Sequence, residues 1–188
     1  GHVVTVLASA AGYGAAGRTP PDAGLRVVRL GPDQPHRDGI GAKLHDYLAF
    51  YREAWRFLDR APAQPDVLVF MTTPPLVGLL GAHLKKRRNM PYLLWCMDLY
   101  PEALVAHGLF RPWNPVLPLL RSLARAERGR AAAVVALGPD MAAHLAGTGA
   151  VRVEEIPVWS SLAVTPALEA EARELRRRRG WGEDEIVL

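Results

Sequence analysis

Short apolar runs separated by amphipathic or turn-rich segments set the organisation of this chain. They lie at Val3 to Leu7, Leu25 to Leu30, Val67 to Met71, Tyr92 to Met97, Ala133 to Leu137 and Val153 to Ile156. Their length suits strands, and their continuous apolar character suits strands covered on both faces. Helical patterns or loops alternate with them, an order that predicts a parallel sheet in a doubly wound α/β domain.

The clearest helix is predicted between Ala42 and Asp59, where Leu44, Tyr47, Leu48, Tyr51, Trp55 and Leu58 recur at three- and four-residue intervals and define a buried stripe. Phe50 and Phe57 fall off that stripe and broaden the apolar face. A second helix is expected after Thr72-Thr73-Pro74-Pro75, with Thr73 as N-cap and Pro74 at the first helical position. It would end in Lys85-Lys86-Arg87-Arg88, cations that complement the helix dipole. Pro101 should open a short helix through Ala106, stopped by Gly108. Pro115 to Arg130 reads as a helix carrying Leu117, Leu119, Leu120 and Leu123, and Gly138-Pro139-Asp140 opens another through Leu145. The pattern loosens from Pro157 to Pro166, as a linker would, before a polar helix over Leu168 to Arg179. The predicted division is a domain at residues 1–165 and an interdomain segment at 166–188.

Composition narrows the class. A length of 188 residues fits one domain or slightly more. No apolar run approaches the roughly 20 residues of a membrane span, and no signal-peptide pattern opens the chain. The single cysteine, Cys96, falls inside a predicted buried strand, which argues against a disulfide framework or a thiolate metal site and fits a reducing cytoplasm. The net charge of +4 is uneven, with basic runs at Lys85 to Arg88 and Arg176 to Arg179. Neither run interleaves aromatics, so a nucleic-acid surface is not expected. They read as solvated helix ends, and an anionic lipid surface or anionic substrate is the functional alternative. The chain opens at Gly1-His2 without an initiator Met and stops at Glu185-Ile186-Val187-Leu188, which reads as a strand barely begun. A piece of a longer protein is expected.

Three segments carry candidate chemistry. Asp98-Leu99-Tyr100-Pro101-Glu102 puts two carboxylates at a strand exit, where open α/β sheets bind ligands. The same residues could serve only as helix caps. Thr72, Thr73 and Pro74 lie at the exit of the preceding strand, with hydroxyls and free N–H groups able to hold a sugar hydroxyl or a phosphate. Gly12-Tyr13-Gly14-Ala15-Ala16-Gly17 matches G-x-G-x-x-G, and Asp33 and Asp38 stand near the distance of a ribose-binding acid. A dinucleotide site needs a helix directly after the glycines. Arg18 to Gly24 is too short and proline-rich for one, so a loop over a cleft is the preferred reading, with Gly12, Tyr13 and Gly14 as substrate contacts. The six histidines show no metal-ligand spacing, and neither a nucleophile elbow nor a P-loop occurs.

Taken in order, these segments resemble the N-terminal domain of family-four retaining glycosyltransferases, especially bacterial exopolysaccharide and O-antigen enzymes. Gly1-His2-Val3-Val4-Thr5-Val6-Leu7 resembles the family's second strand, and Pro65-Asp66-Val67-Leu68-Val69 with Thr73-Pro74-Pro75 resembles a later strand and its exit. Asp98 to Glu102, Ala132 to Leu137 and Ile156-Pro157-Val158-Trp159-Ser160 follow at family spacing. The resemblance implies one Rossmann-like half of a GT-B fold, the acceptor-binding side, with the first strand missing and a nucleotide-sugar donor held mainly by an absent C-terminal domain. It further implies metal-independent transfer to a lipid-linked or polysaccharide acceptor in cell-envelope polysaccharide biosynthesis, with no cofactor. Peripheral contact with an anionic inner membrane would involve Leu109-Phe110-Arg111-Pro112-Trp113. Asp98 and Glu102 would grip acceptor hydroxyls. Met97 stands where relatives often carry a basic residue or His, and Val158 where they carry Asn. The fragment alone would be inactive. The alternatives are an NAD-binding oxidoreductase or sugar epimerase using Gly12 to Gly17, and a noncatalytic sugar-binding module.

Overall fold

A computed structural model describes residues 1–10, 25–31, 39–61, 64–158 and 165–182. Six strands and six helices are described: β1 (Val4–Ser9), β2 (Leu25–Leu30), α1 (Ile40–Arg60), β3 (Leu68–Met71), α2 (Gly78–Arg88), β4 (Tyr92–Trp95), α3 (Glu102–Ala106), α4 (Leu117–Arg128), β5 (Ala133–Ala136), α5 (Pro139–Gly147), β6 (Val153–Glu155) and α6 (Pro166–Arg179). All strand pairs are parallel, as the alternating pattern requires. They form two sheets, β1-β2 and β3-β4-β5-β6, flanked by helices. The fold is α/β and Rossmann-like. Among the described residues, β1 pairs only with β2 and β3 only with β4, so one predicted sheet is two.

The chain divides into two units, Gly1–Ile156 and Pro157–Leu188. In the first, the core is built on one face of β4 and β5. Tyr92, Leu94 and Val134 are fully buried there with Leu84 of α2 and Leu145 of α5. Gly81 lets α2 lie directly on the sheet: a Cβ at that position would come within 2.7 Å of the Phe70 and Tyr92 rings, which themselves pack edge-to-face at 5.9 Å. In the second unit, Glu174 of α6 takes Arg177 at 2.7 Å and Arg178 at 3.1 Å, and Arg179 stacks over Trp181. That basic run is a solvated helix end, its charges matched locally.

Three local expectations are corrected. In α1 the face turned to the core carries Phe50, Tyr51, Ala54, Phe57 and Leu58, while Leu44, Leu48 and Trp55 are exposed. The two phenylalanines placed off the stripe flank its packed face, whose buried members are Ala54 and Leu58. The second correction concerns α2, which starts at Gly78 instead of Pro74. Leu76 has a φ of 65°, so helical geometry cannot begin until Val77. Thr73 is therefore not its N-cap. Third, Pro101 precedes α3 as its cap, outside the first helical position, with a cis Tyr100–Pro101 bond. The stop is as expected: Gly108 has a φ of 70°, its N–H bonds the Val105 carbonyl, and the Leu109 N–H reaches back to Leu104 at 2.9 Å.

The first basic run also has a structural task. Arg88 donates to the carbonyls of Leu58 and Asp59 and pairs with the Asp59 carboxylate at 3.4 Å, fastening the end of α2 to the end of α1. Asn89 closes α2 in a left-handed conformation and accepts from Lys85.

Gly81→Ala should destabilise the chain by about 1 to 3 kcal/mol in chemical denaturation, because the ring pair below cannot retreat. Gly147→Ala, whose new methyl meets no neighbour within 4 Å, should leave stability unchanged or raise it by less than about 1 kcal/mol.

Candidate functional site

Strands β3, β4 and β5 run parallel, with Met71, Trp95 and Val135 in register, so their carboxyl ends open on one edge. The Thr72 to Pro75 loop leaves β3 there and the Asp98 to Glu102 loop follows β4. A single oxygen ties the two: Thr72 Oγ1 accepts from the Met97 N–H at 3.0 Å and from the Asp98 N–H at 3.1 Å. Two N–H groups that no strand partner takes are thereby satisfied. Thr72 is buried, so it acts from below the surface, and Pro74 is buried beside it. Thr73 and Asp98 are the exposed members of the pair of loops, and Met97 is exposed between them. Tyr51 of α1 secures the outer end of the first loop by donating its hydroxyl to the Pro75 carbonyl.

Glu102 is half-buried at the start of α3. Its Oε1 accepts from Arg121 Nε of α4 at 3.3 Å, and its buried Oε2 has no hydrogen-bond partner among the described residues. The two carboxylates therefore differ: Asp98 faces solvent, whereas Glu102 is partly neutralised and held in place. The exposed Asp98 carboxylate can accept hydrogen bonds from hydroxyl groups of a ligand. Gly12, Tyr13 and Gly14, with Asp33 and Asp38, lie outside the described residues. Among the described residues no group of three His, Cys, Asp or Glu side chains could hold a metal, and no helix is long and apolar enough to cross a membrane.

Beneath this edge lie charged residues that the sequence reading passed over. Glu127 and Arg128, adjacent on α4, are each only 4% exposed. The Glu127 carboxylate faces the Gly78 and Leu79 N–H groups at the start of α2, and burial pushes its pKa up to about 7 against the opposing pull of Arg128 and those N–H groups. Gly78 is required by this approach, since a Cβ there would sit 2.9 Å from Glu127 Oε2. The Arg128 guanidinium donates to the Tyr100 carbonyl at 2.8 Å and to Thr148 Oγ1 at 3.0 Å. Tyr92 donates its hydroxyl to the Glu127 backbone carbonyl, and burial raises this phenol and that of Tyr51 above the ordinary range. The Cys96 thiol is likewise pushed up to about 11 by burial, which suits a packing residue better than a nucleophile. A signal for the charged pair was present in the sequence. Leu117, Ala124, Glu127 and Arg128 are the buried residues of α4, spaced seven, three and one apart on one face.

The sequence profile of the glycosyl transferase 4-like domain matches residues 1–159, a span that holds every strand just described and both loops of the site. The chain belongs to that family. Among curated proteins no relative matches it. Membership makes this a glycosyltransferase domain in the general sense, and the exposed carboxylate at the carboxyl edge of the sheet lies where a domain of this fold meets its ligands.

Glu127 makes this glycosyltransferase domain pH-sensitive in a defined direction. Its pKa is higher folded than unfolded, so the native state holds the proton more tightly and stability falls as pH rises from about 4.5 to about 7, then levels. The loss attributable to this group is about 3 kcal/mol at most. Glu127→Gln should flatten that part of the profile when urea unfolding is followed at pH 5, 6, 7 and 8.

Proposed function

We propose that the chain is the acceptor-binding, N-terminal half of a retaining GT-B glycosyltransferase, which transfers a sugar from a nucleotide-sugar donor to a lipid-linked or polysaccharide acceptor of the cell envelope. The observation that carries this reading is the solvent-facing Asp98 carboxylate on a loop fastened to the Thr72 loop, in a domain whose family is glycosyltransferase. Asp98 grips an acceptor hydroxyl, and Glu102, steadied by Arg121, takes a second. Their work is orientation: fixing the acceptor oxygen against the donor carbon converts an encounter between two molecules into a step within one complex. Thr73 borders the same edge, and Thr72 with Pro74 shapes it from beneath. Residues 166–188 form the segment that leads toward the donor-binding half, where the resemblance puts most contacts to the nucleotide. In this reading transfer is metal-independent, as the family resemblance implies, and the two carboxylates act through hydrogen bonds to hydroxyl groups.

The acceptor's lipid carrier suggests where the domain works. Leu109, Trp113, Val116 and Leu119 are 58%, 75%, 44% and 60% exposed, and Arg111 stacks over the Trp113 ring. With Arg125 exposed nearby in sequence, this apolar and basic set matches an anionic membrane surface, into which the rings and leucines dip while the guanidinium groups meet headgroups.

Steady-state kinetics of the full-length gene product, with nucleotide sugars and a lipid-diphosphate-linked acceptor, test the assignment. Asp98→Asn should raise the acceptor KM about tenfold or more, as expected for loss of a charge-assisted hydrogen bond, and leave the donor KM within about twofold. A chelator should not change the rate. Transfer from no donor, or an equal effect on both KM values, would count against the reading. Co-sedimentation should show binding to vesicles containing phosphatidylglycerol and not to pure phosphatidylcholine vesicles, with Trp113→Ala weakening it several-fold; equal binding to both would remove the electrostatic part of the membrane reading.

A further inference from the structure

The first turn of α2 lacks a side-chain cap and carries no acidic residue of its own. Negative charge at the N-terminus of this 11-residue helix is favourable, and of its first N–H groups that of Leu79 already bonds the Leu76 carbonyl at 3.1 Å. That charge comes from Glu127 of α4, which stands against Gly78 closely enough to exclude any larger residue. The next residue along α4 reaches elsewhere. Arg128 holds the Tyr100 carbonyl in the middle of the Asp98 to Glu102 loop and, through Thr148 Oγ1, the end of α5. The Thr148 hydroxyl passes the connection on to the His144 carbonyl at 2.8 Å. Farther back on α4, Arg121 holds Glu102 itself.

We propose that Glu127 and Arg128 are positioning residues of the acceptor site, one fixing the start of α2 and the Thr72 to Pro75 loop before it, the other fixing the Asp98 to Glu102 loop. The proposal rests on the acceptor reading of that edge. Because the two residues are consecutive on one helix, α4 sets the spacing between the loops, and Thr72 Oγ1 completes the link across them. A rigid scaffold of this kind is what orientation of a substrate demands, since small displacements of a gripping group remove much of its effect. It also makes the spacing responsive to pH. The charged carboxylate interacts more strongly with the α2 N–H groups than the neutral acid does. The groups around it are Arg128 of α4, Tyr51 of α1, and Tyr92 and Cys96 of β4 and its exit, with Arg130 acting on Tyr92. Burial raises both phenols and the thiol, so Glu127 is the member of the set that changes charge near neutrality.

Amide spectroscopy on the 188-residue chain tests this without reference to any substrate. The Gly78, Leu79, Met97 and Asp98 amides should titrate with one shared midpoint near pH 7. Glu127→Gln, which keeps the side chain's size, should abolish that midpoint at all four. Arg128→Lys, which cannot serve the Tyr100 carbonyl and Thr148 together, should speed hydrogen exchange at Met97, Asp98 and Ala103 by about tenfold while leaving the α6 amides unchanged. The proposal is overturned if Met97 and Asp98 do not share the Gly78 midpoint, if the midpoint survives in Glu127→Gln, or if exchange in Arg128→Lys is unaltered. Failure of the acceptor reading would appear separately, as an Asp98→Asn enzyme with an unchanged acceptor KM.

Discussion

Two adjacent charges buried on one helix constrain everything around them. A carboxylate and a guanidinium removed from water are each strongly destabilising unless partners are supplied. The folded chain supplies partners from three other elements, leaving Glu127 Oε2 and Arg128 Nε without a hydrogen bond among the described residues. The start of α2 faces the Glu127 carboxylate, the loop after β4 and the end of α5 take Arg128, and Tyr92 of β4 bonds the backbone carbonyl of Glu127. Each of these elements would be free to slide on an apolar core alone. The charges fix where they stop, which gives the carboxyl edge of the sheet its defined shape.

That constraint explains several local oddities together. Helix α2 begins late because Leu76 has a φ of 65°, and its N-terminus meets Glu127 of α4 in place of a side-chain cap of its own. Gly78 is small because the carboxylate approaches there, and Gly81 is small because the Phe70 and Tyr92 rings approach one turn later. Thr72, in a position that could offer a hydroxyl to a ligand, instead collects the two N–H groups left over where β4 ends. The exposed chemistry that remains is narrow: Asp98, Thr73 and a Glu102 already engaged by Arg121. In the role proposed for this edge, that surface grips a polyhydroxylated acceptor.

Much of the fold was legible in the sequence because short apolar runs alternating with helical patterns leave a plain record. The expectation that the strands are covered on both faces holds only for β5, the one described strand buried along its whole length, while β1 and β3 are largely exposed and β4 alternates. All six apolar runs became strands with ends shifted by three residues or fewer, and every predicted helix formed. The start of α2 differed from expectation because Thr-Pro-Pro is an ordinary helix-opening signal, and the positive φ of Leu76 that overrides it leaves no mark in the residue types. In α1 two apolar stripes compete within one periodicity, so spacing alone could not choose between Phe50 with Phe57 and Leu44 with Leu48. The exposed carboxylate at the strand exit could be read from position. Its support could not, because Glu127 and Arg128 look like surface residues until the stripe of α4 is traced through Leu117 and Ala124 into them.

The central claim is that the carboxyl edge of β3 and β4 receives the acceptor. Its most direct test is to titrate the isotope-labelled chain with the saccharide portion of the acceptor and map the amide shifts. Changes should concentrate at Thr73, Met97, Asp98 and Glu102, with α6 and the amino ends of the strands silent. Shifts clustered at the amino ends of the strands, with the Asp98 loop unmoved, would contradict it.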